Sequence, residues 1–119
     1  DVNYKVNPTQ ETTRRPDITF IRRGRLPGDK LPPGILNLAP DLMIEVVSPT
    51  NSANEIEEKV KLFLGAGTQL AWVVYPSIRS VRIMRPDGSG QSLDANATIT
   101  GETVVPGFSC KVSEFFEIE

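Results

Sequence analysis

Residues 42–47 read LMIEVV, an apolar run broken by one carboxylate and closed by prolines at positions 40 and 49. A run this short and continuous suits a strand buried on both faces, because a half-exposed strand would alternate polar and apolar residues. A strand of that kind needs a layer above it and a layer below it, which directs the chain toward an α/β architecture. It also sets Glu45 inside what should be core, where a charge needs a partner, a metal ion or a proton. Alternation along the strand puts Asp41, Met43, Glu45 and Val47 on one face.

The elements around this run follow from local pattern. Residues 1–15 are polar and read as an arm or a strand remnant. Residues 18–21 (ITFI) read as a short buried strand, and residues 22–40, with Gly24, Pro27, Gly28, Pro32, Pro33, Gly34 and Pro40, as a loop. After Pro49, Ser52 and Glu55 have the spacing of a capping box. Ile56, Val60, Phe63 and Leu64 repeat at helical intervals, and Gly65 and Gly67 supply the stop. Residues 71–75 (AWVVY) and 81–85 (VRIMR) read as two more strands, with turns at Pro76-Ser77, at Asp87-Gly88 and at Gly90. The tail carries a Pro106-Gly107 turn and a short apolar end, residues 112–116. The order strand, strand, helix, strand, strand predicts a mixed sheet with a helix on one face, in a single domain spanning residues 1–119.

Two absences remove whole chemistries. The 119 residues contain no His, hence no His base, no Ser-His-Asp triad and no His-ligated metal. Cys110 is the single cysteine, so neither a disulfide framework nor a thiolate zinc site can form. Carboxylates, lysines and a hard cation such as Mg²⁺ remain. No apolar stretch approaches a membrane span, and the first residues lack a signal-peptide pattern, so an intracellular, cytoplasmic protein is expected. The net charge of −2 does not advertise a nucleic-acid partner, but its distribution is uneven. Lys5, Arg14, Arg15, Arg22, Arg23, Arg25 and Lys30 crowd the first thirty residues, whereas residues 87–119 hold Lys111 against six acidic residues. The basic end is either a solvated surface or a phosphate-contacting patch.

The titratable residues leave two readings open. Asp17 begins the ITFI run just after Pro16, so pairing of the ITFI and LMIEVV strands would bring Asp17 toward Glu45. Two converging carboxylates make a plausible Mg²⁺ site; the plainer reading has Glu45 answering a buried Arg while Asp17 caps a strand. On a helical projection Glu55 and Lys59 share the arc of the apolar residues. They are either an i, i+4 ion pair at the edge of the core, with Lys59 reaching outward, or part of a site over Glu45. Gly88-Ser89-Gly90 lacks a following Lys-Ser/Thr and is a turn, not a phosphate loop.

The blocks RRPDITFI, PDLMIEVVSPTNSANEIEEKVKLFLGAGTQLAWVVYP and VPGF resemble the Uma-type restriction endonuclease-like family, bacterial members of the PD-(D/E)xK nuclease superfamily. The resemblance covers about residues 15–116. It implies a restriction-endonuclease-like mixed sheet and hydrolysis of nucleic-acid phosphodiester bonds with Mg²⁺ or Mn²⁺. It makes Asp17 the first metal-binding aspartate and Glu45 the acidic member of the (D/E)xK motif. The motif lysine would fall at Val47; the family typically carries it on the following helix, where Lys59 stands. Glu55 occupies a position usually held by Asp, and Asp41 matches a frequent family residue; both are candidates for a supporting role. Arg14, Arg15, Arg22 and Arg23 would contact the nucleic acid, DNA by expectation. The family's EYWxVD-like strand is here residues 70–75, LAWVVY, without the acidic residues. Family members carry a longer region before RRPD, so part of the N-terminal core is expected to be missing and a homodimer or higher oligomer to cover the sheet edge. A rival class is a catalytically inactive paralogue serving as an oligomerisation or nucleic-acid-binding module.

Overall fold

The computed structural model describes residues 4–7, 12–14, 16–30 and 38–117. Strands β1 (Tyr4–Asn7) and β2 (Thr12–Arg14) pair antiparallel as a two-stranded sheet. The main sheet contains β3 (Ile18–Phe20), β4 (Leu42–Val46), β5 (Leu70–Tyr75), β6 (Ser80–Met84) and β7 (Gly90–Leu93), in that spatial order. β4 and β5 are parallel and every other pair is antiparallel, so the sheet is mixed as the element order predicts. Two parallel strands need a long crossover, and α1 (Ala53–Ala66) provides it. A last small sheet, β8 (Thr98–Thr100) with β9 (Ser109–Lys111), leads into the 3-10 turns of Val112–Phe116.

The expected two-sided burial of β4 holds, with a separate apolar cluster on each face. Met43, Ala71 and Val73 meet Ile56, Val60 and Phe63 of α1 together with Tyr4 of β1. Leu42, Ile44, Trp72, Val74, Val81 and Ile83 meet Ile99, Val104 and Val112 on the other side. Tyr4 is fully buried: its ring lies edge-on to Phe63 and its hydroxyl donates to Thr19 Oγ1 at 2.8 Å. Burial pushes the Tyr4 phenol up from its ordinary value, which keeps the proton that this bond uses. The stretch expected to be an arm or strand remnant thus contains a hairpin whose first residue ties α1 to β3.

Three expectations need correction. Strand 18–21 is present but not buried: Ile18 is 50% and Phe20 45% exposed. Both pair with residues of the non-helical face, Ile44 and Leu42, yet β3 is the edge strand and neither side chain joins the cluster that β8 and β9 help to cover. Gly65 does not stop α1, which continues through Ala66 and ends at Gly67, where φ is +123°. Residues 90–93 (GQSL), with no apolar alternation, form a strand because β6 offers a partner across the Asp87-Gly88 turn.

Candidate active site

Glu45 lies near the C-terminal end of β4, on the face covered by α1, with its side chain 6% exposed. A carboxylate at that depth loses most of its hydration and needs compensating contacts. Lys59 Nζ comes from the second turn of α1 to 2.9 Å from Glu45 Oε2. The capping box that starts the helix sets this reach: Ser52 Oγ accepts the Glu55 N–H at 3.0 Å, and Glu55 Oε1 accepts the Ser52 N–H at 2.9 Å.

Asp17, the residue just before β3, completes the group. The antiparallel register pairs Ile18 with Ile44, which brings Asp17 opposite Glu45. The Asp17 N–H donates to Glu45 Oε2 at 3.3 Å, and Asp17 Oδ2 accepts the Val46 N–H at 2.8 Å, taking the place of a ladder carbonyl. Burial raises the Glu45 carboxyl above its usual range; the Lys59 hydrogen bond and charge oppose that shift, and the negative charge of Asp17 adds to it. A depression of about 420 Å³ opens beside these groups, lined by Glu45, Asn51, Glu55, Glu58 and Lys59, with Ile56 and Leu62 as its apolar wall.

The donor set suits a hard divalent cation. Asp17 and Glu45 are two oxygen-rich anions side by side, and the charge of the buried one is already opposed by a cation. Among the described residues no group of three Asp, Glu, Cys or His side chains could enclose an ion. One or two carboxylates are nevertheless the usual protein share of a Mg²⁺ site, with waters and substrate phosphate filling the remaining positions.

The other candidate residues divide by position. Glu55 lines the same depression but has its Oε1 engaged in the helix cap. Asp41 is buried at the opposite end of β4, where its Oδ2 accepts the Arg22 N–H and an Arg25 Nη1–H, both at 2.7 Å. It therefore organises the 22–30 loop and does not join Glu45. Arg22 and Arg23 lie at that far end with it, in a second cavity. Arg14 belongs to β2, and Arg15 lies outside the described residues, as does the side chain of Arg14. The plainer sequence reading, a buried Arg facing Glu45, gives way to Lys59. Sequence reasoning missed Arg25 as the partner of Asp41, because a separation of sixteen positions leaves no spacing signal.

Adjacent carboxylates at a strand junction, a lysine from the covering helix and a mixed sheet beneath them define a restriction-endonuclease-like fold. The family model Uma2, described as "Putative restriction endonuclease", matches residues 1–113, and the chain belongs to that family. Among solved structures it is similar to one described as a "putative nuclease belonging to DUF820" from Anabaena variabilis ATCC 29413. The TM-score is 0.75 and the identity 26%, over 87% of this chain and 60% of that one, so the present chain spans less than two thirds of the Anabaena chain's length. No curated protein matches.

Proposed function

We propose that this chain is a metal-dependent endonuclease that hydrolyses phosphodiester bonds of DNA at Asp17, Glu45 and Lys59. The observation that carries the reading is the meeting of three sequence-distant residues: Lys59 Nζ of α1 lies 2.9 Å from Glu45 Oε2 of β4, and Asp17, just before β3, reaches the same oxygen through its backbone N–H at 3.3 Å. Family membership supports a nuclease in general. Asp17 and Glu45 would hold Mg²⁺ or Mn²⁺; when bound, such an ion supplies Lewis-acid polarisation of the phosphate and a lowered pKa for water. Lys59 is mobile about four methylenes and only partly enclosed, so it can turn from Glu45 toward the substrate. There it donates to a phosphate oxygen or fixes the water that attacks. The low-dielectric wall of Ile56 and Leu62 strengthens that charge interaction. Glu55 and Glu58 on the rim add negative charge beside the site, which a bound cation would offset.

The test is cleavage of plasmid and oligonucleotide DNA by wild type and by Glu45→Gln. Loss of cleavage in a variant with an unchanged melting curve supports the assignment; equal cleavage by both removes it. Among the described residues no helix is long and apolar enough to cross a membrane.

The second reading is an inactive paralogue that binds nucleic acid or assembles oligomers. It is favoured by the Glu45–Lys59 pair, which opposes the charge of the buried carboxylate without a metal ion. A folded wild type that binds neither Mg²⁺ nor Mn²⁺ in the presence of DNA would select it.

A further inference from the structure

The opposite end of β4 carries a second polar construction that the catalytic reading does not use. A cavity of about 450 Å³ is lined by Arg22, Arg23, Arg25, Asp41, Gly67 and Gln69. Asp41 is almost wholly buried and serves as its internal brace. One carboxylate oxygen takes both the Arg22 N–H and the Arg25 guanidinium, and the Asp41 backbone carbonyl accepts the Gln69 N–H at 3.0 Å. Asp29 closes the same loop from outside the cavity by accepting the Gly24 N–H at 2.7 Å. The charge of Arg25 is thus spent on Asp41. Arg22 and Arg23 are exposed, adjacent in sequence, and have no acidic side-chain partner among the described residues. The C-terminal end of α1 at Gly67 contributes about half a negative charge, too little to balance both guanidiniums. Two uncompensated arginines held beside a braced cavity fit an anion, and planar guanidiniums are suited to phosphate.

Position names the anion. Asp41 and Glu45 share the helix-covered face of one strand, four residues apart. At about 3.3 Å per residue the two sites are separated by about 13 Å. Phosphates of one duplex strand wind around the axis while advancing about 3.4 Å along it, so a straight span of about 13 Å corresponds to about two nucleotides. We infer that the Arg22–Arg23 cavity anchors a backbone phosphate remote from the phosphodiester bond at Asp17, Glu45 and Lys59, which makes the substrate a polynucleotide and not a nucleotide or dinucleotide. Asp41 is a positioning residue for this anchor. The inference rests on the nuclease reading for its substrate and stands on separate residues.

The experiment uses the Glu45→Gln chain, which holds substrate without cutting it, and fluorescence anisotropy with labelled oligonucleotides of two and twelve nucleotides, as DNA and as RNA, over a salt series. The twelve-nucleotide ligand is expected to bind at least about tenfold tighter than the dinucleotide, and adding Arg22→Ala with Arg23→Ala removes most of that gap. The double change also lowers the slope of log affinity against log salt by about 0.7, since the anchor neutralises one phosphate and each such contact contributes about 0.7 in a single strand. The double Lys variant keeps the slope, and Asp41→Asn combined with Arg25→Ala, so that no freed guanidinium replaces the lost contact, lowers it in a chain checked for folding by its melting curve. An unchanged length gap and salt slope in the Arg22→Ala/Arg23→Ala chain overturn the anchor. Cleavage by the unmutated chain is scored separately: an arginine-dependent gap without cleavage keeps the anchor and discards the nuclease, and cleavage with an unchanged gap does the reverse. The polymer that shows the effect, DNA or RNA, is the one anchored.

Discussion

Glu45 shows how one residue can contribute to function while opposing stability. Its carboxylate has exchanged water for one ammonium and one backbone N–H, and burial still raises its affinity for a proton. Removing the ammonium leaves that charge with too few partners. Lys59→Ala is therefore expected to destabilise the fold by about 1–3 kcal/mol, less than a fully enclosed pair because Lys59 reaches solvent. Adding Glu45→Gln to Lys59→Ala should recover much of the loss, which a double-mutant cycle in urea would measure. An additive result would mean that the two side chains do not interact. In activity, Lys59→Ala should lose roughly 100-fold in kcat if it steadies transition-state charge. A change confined to KM would limit it to binding. Asp41 makes the contrasting case: it holds a loop through two short hydrogen bonds, so Asp41→Ala should cost about 1–3 kcal/mol by removing the partner of the part-buried Arg22 N–H and freeing Arg25. A loss below about 0.5 kcal/mol would show that the loop does not depend on it.

Among the elements, α1 follows its local code closely. Ser52 and Glu55 form the reciprocal cap that their spacing predicts, and Ser52→Ala should lower stability by about 1 kcal/mol, seen as a reduced urea midpoint. Gly67→Ala should cost at least about 1 kcal/mol, because its backbone lies at φ +123°, where a Cβ is strained. An unchanged midpoint in either variant would contradict the capping account. β4 was legible for a similar reason: six residues fixed its period, and the misplaced glutamate marked the site. β7 and the β8–β9 pair were not, since GQSL carries no apolar alternation, TIT is too short for its alternation to mark a strand, and both form by pairing with neighbours. The exposure of β3 was equally hidden. ITFI has the composition of a buried strand, and only the strand order makes it an edge. The joining of Asp17 to Glu45 depended on a pairing that the sequence suggested and could not fix. The position of Lys59 over Glu45 came from helix phase, which local pattern does specify.

At the scale of the whole molecule, two features of the surface remain to be put to use. The free edge of β3 presents Ile18 and Phe20 with Val46 beside them, all part-exposed on the face away from α1. Edge strands with apolar side chains invite pairing, and a homodimer or higher oligomer through this edge is the proposed outcome. Sedimentation equilibrium should then show self-association in wild type and monomer in Phe20→Glu; a monomeric wild type at high concentration would rule that edge out as the contact. The second feature is the polarity of the β4 axis, with a carboxylate–lysine centre at one end and arginines at the other. The central claim concerns the first end, and it is tested most directly by titrating Mn²⁺ calorimetrically into wild type and Glu45→Gln, with a non-hydrolysable oligonucleotide present to complete the coordination. The account predicts saturable binding to wild type and none to the folded variant. Binding of equal strength to both, or no binding to a folded wild type, would contradict it.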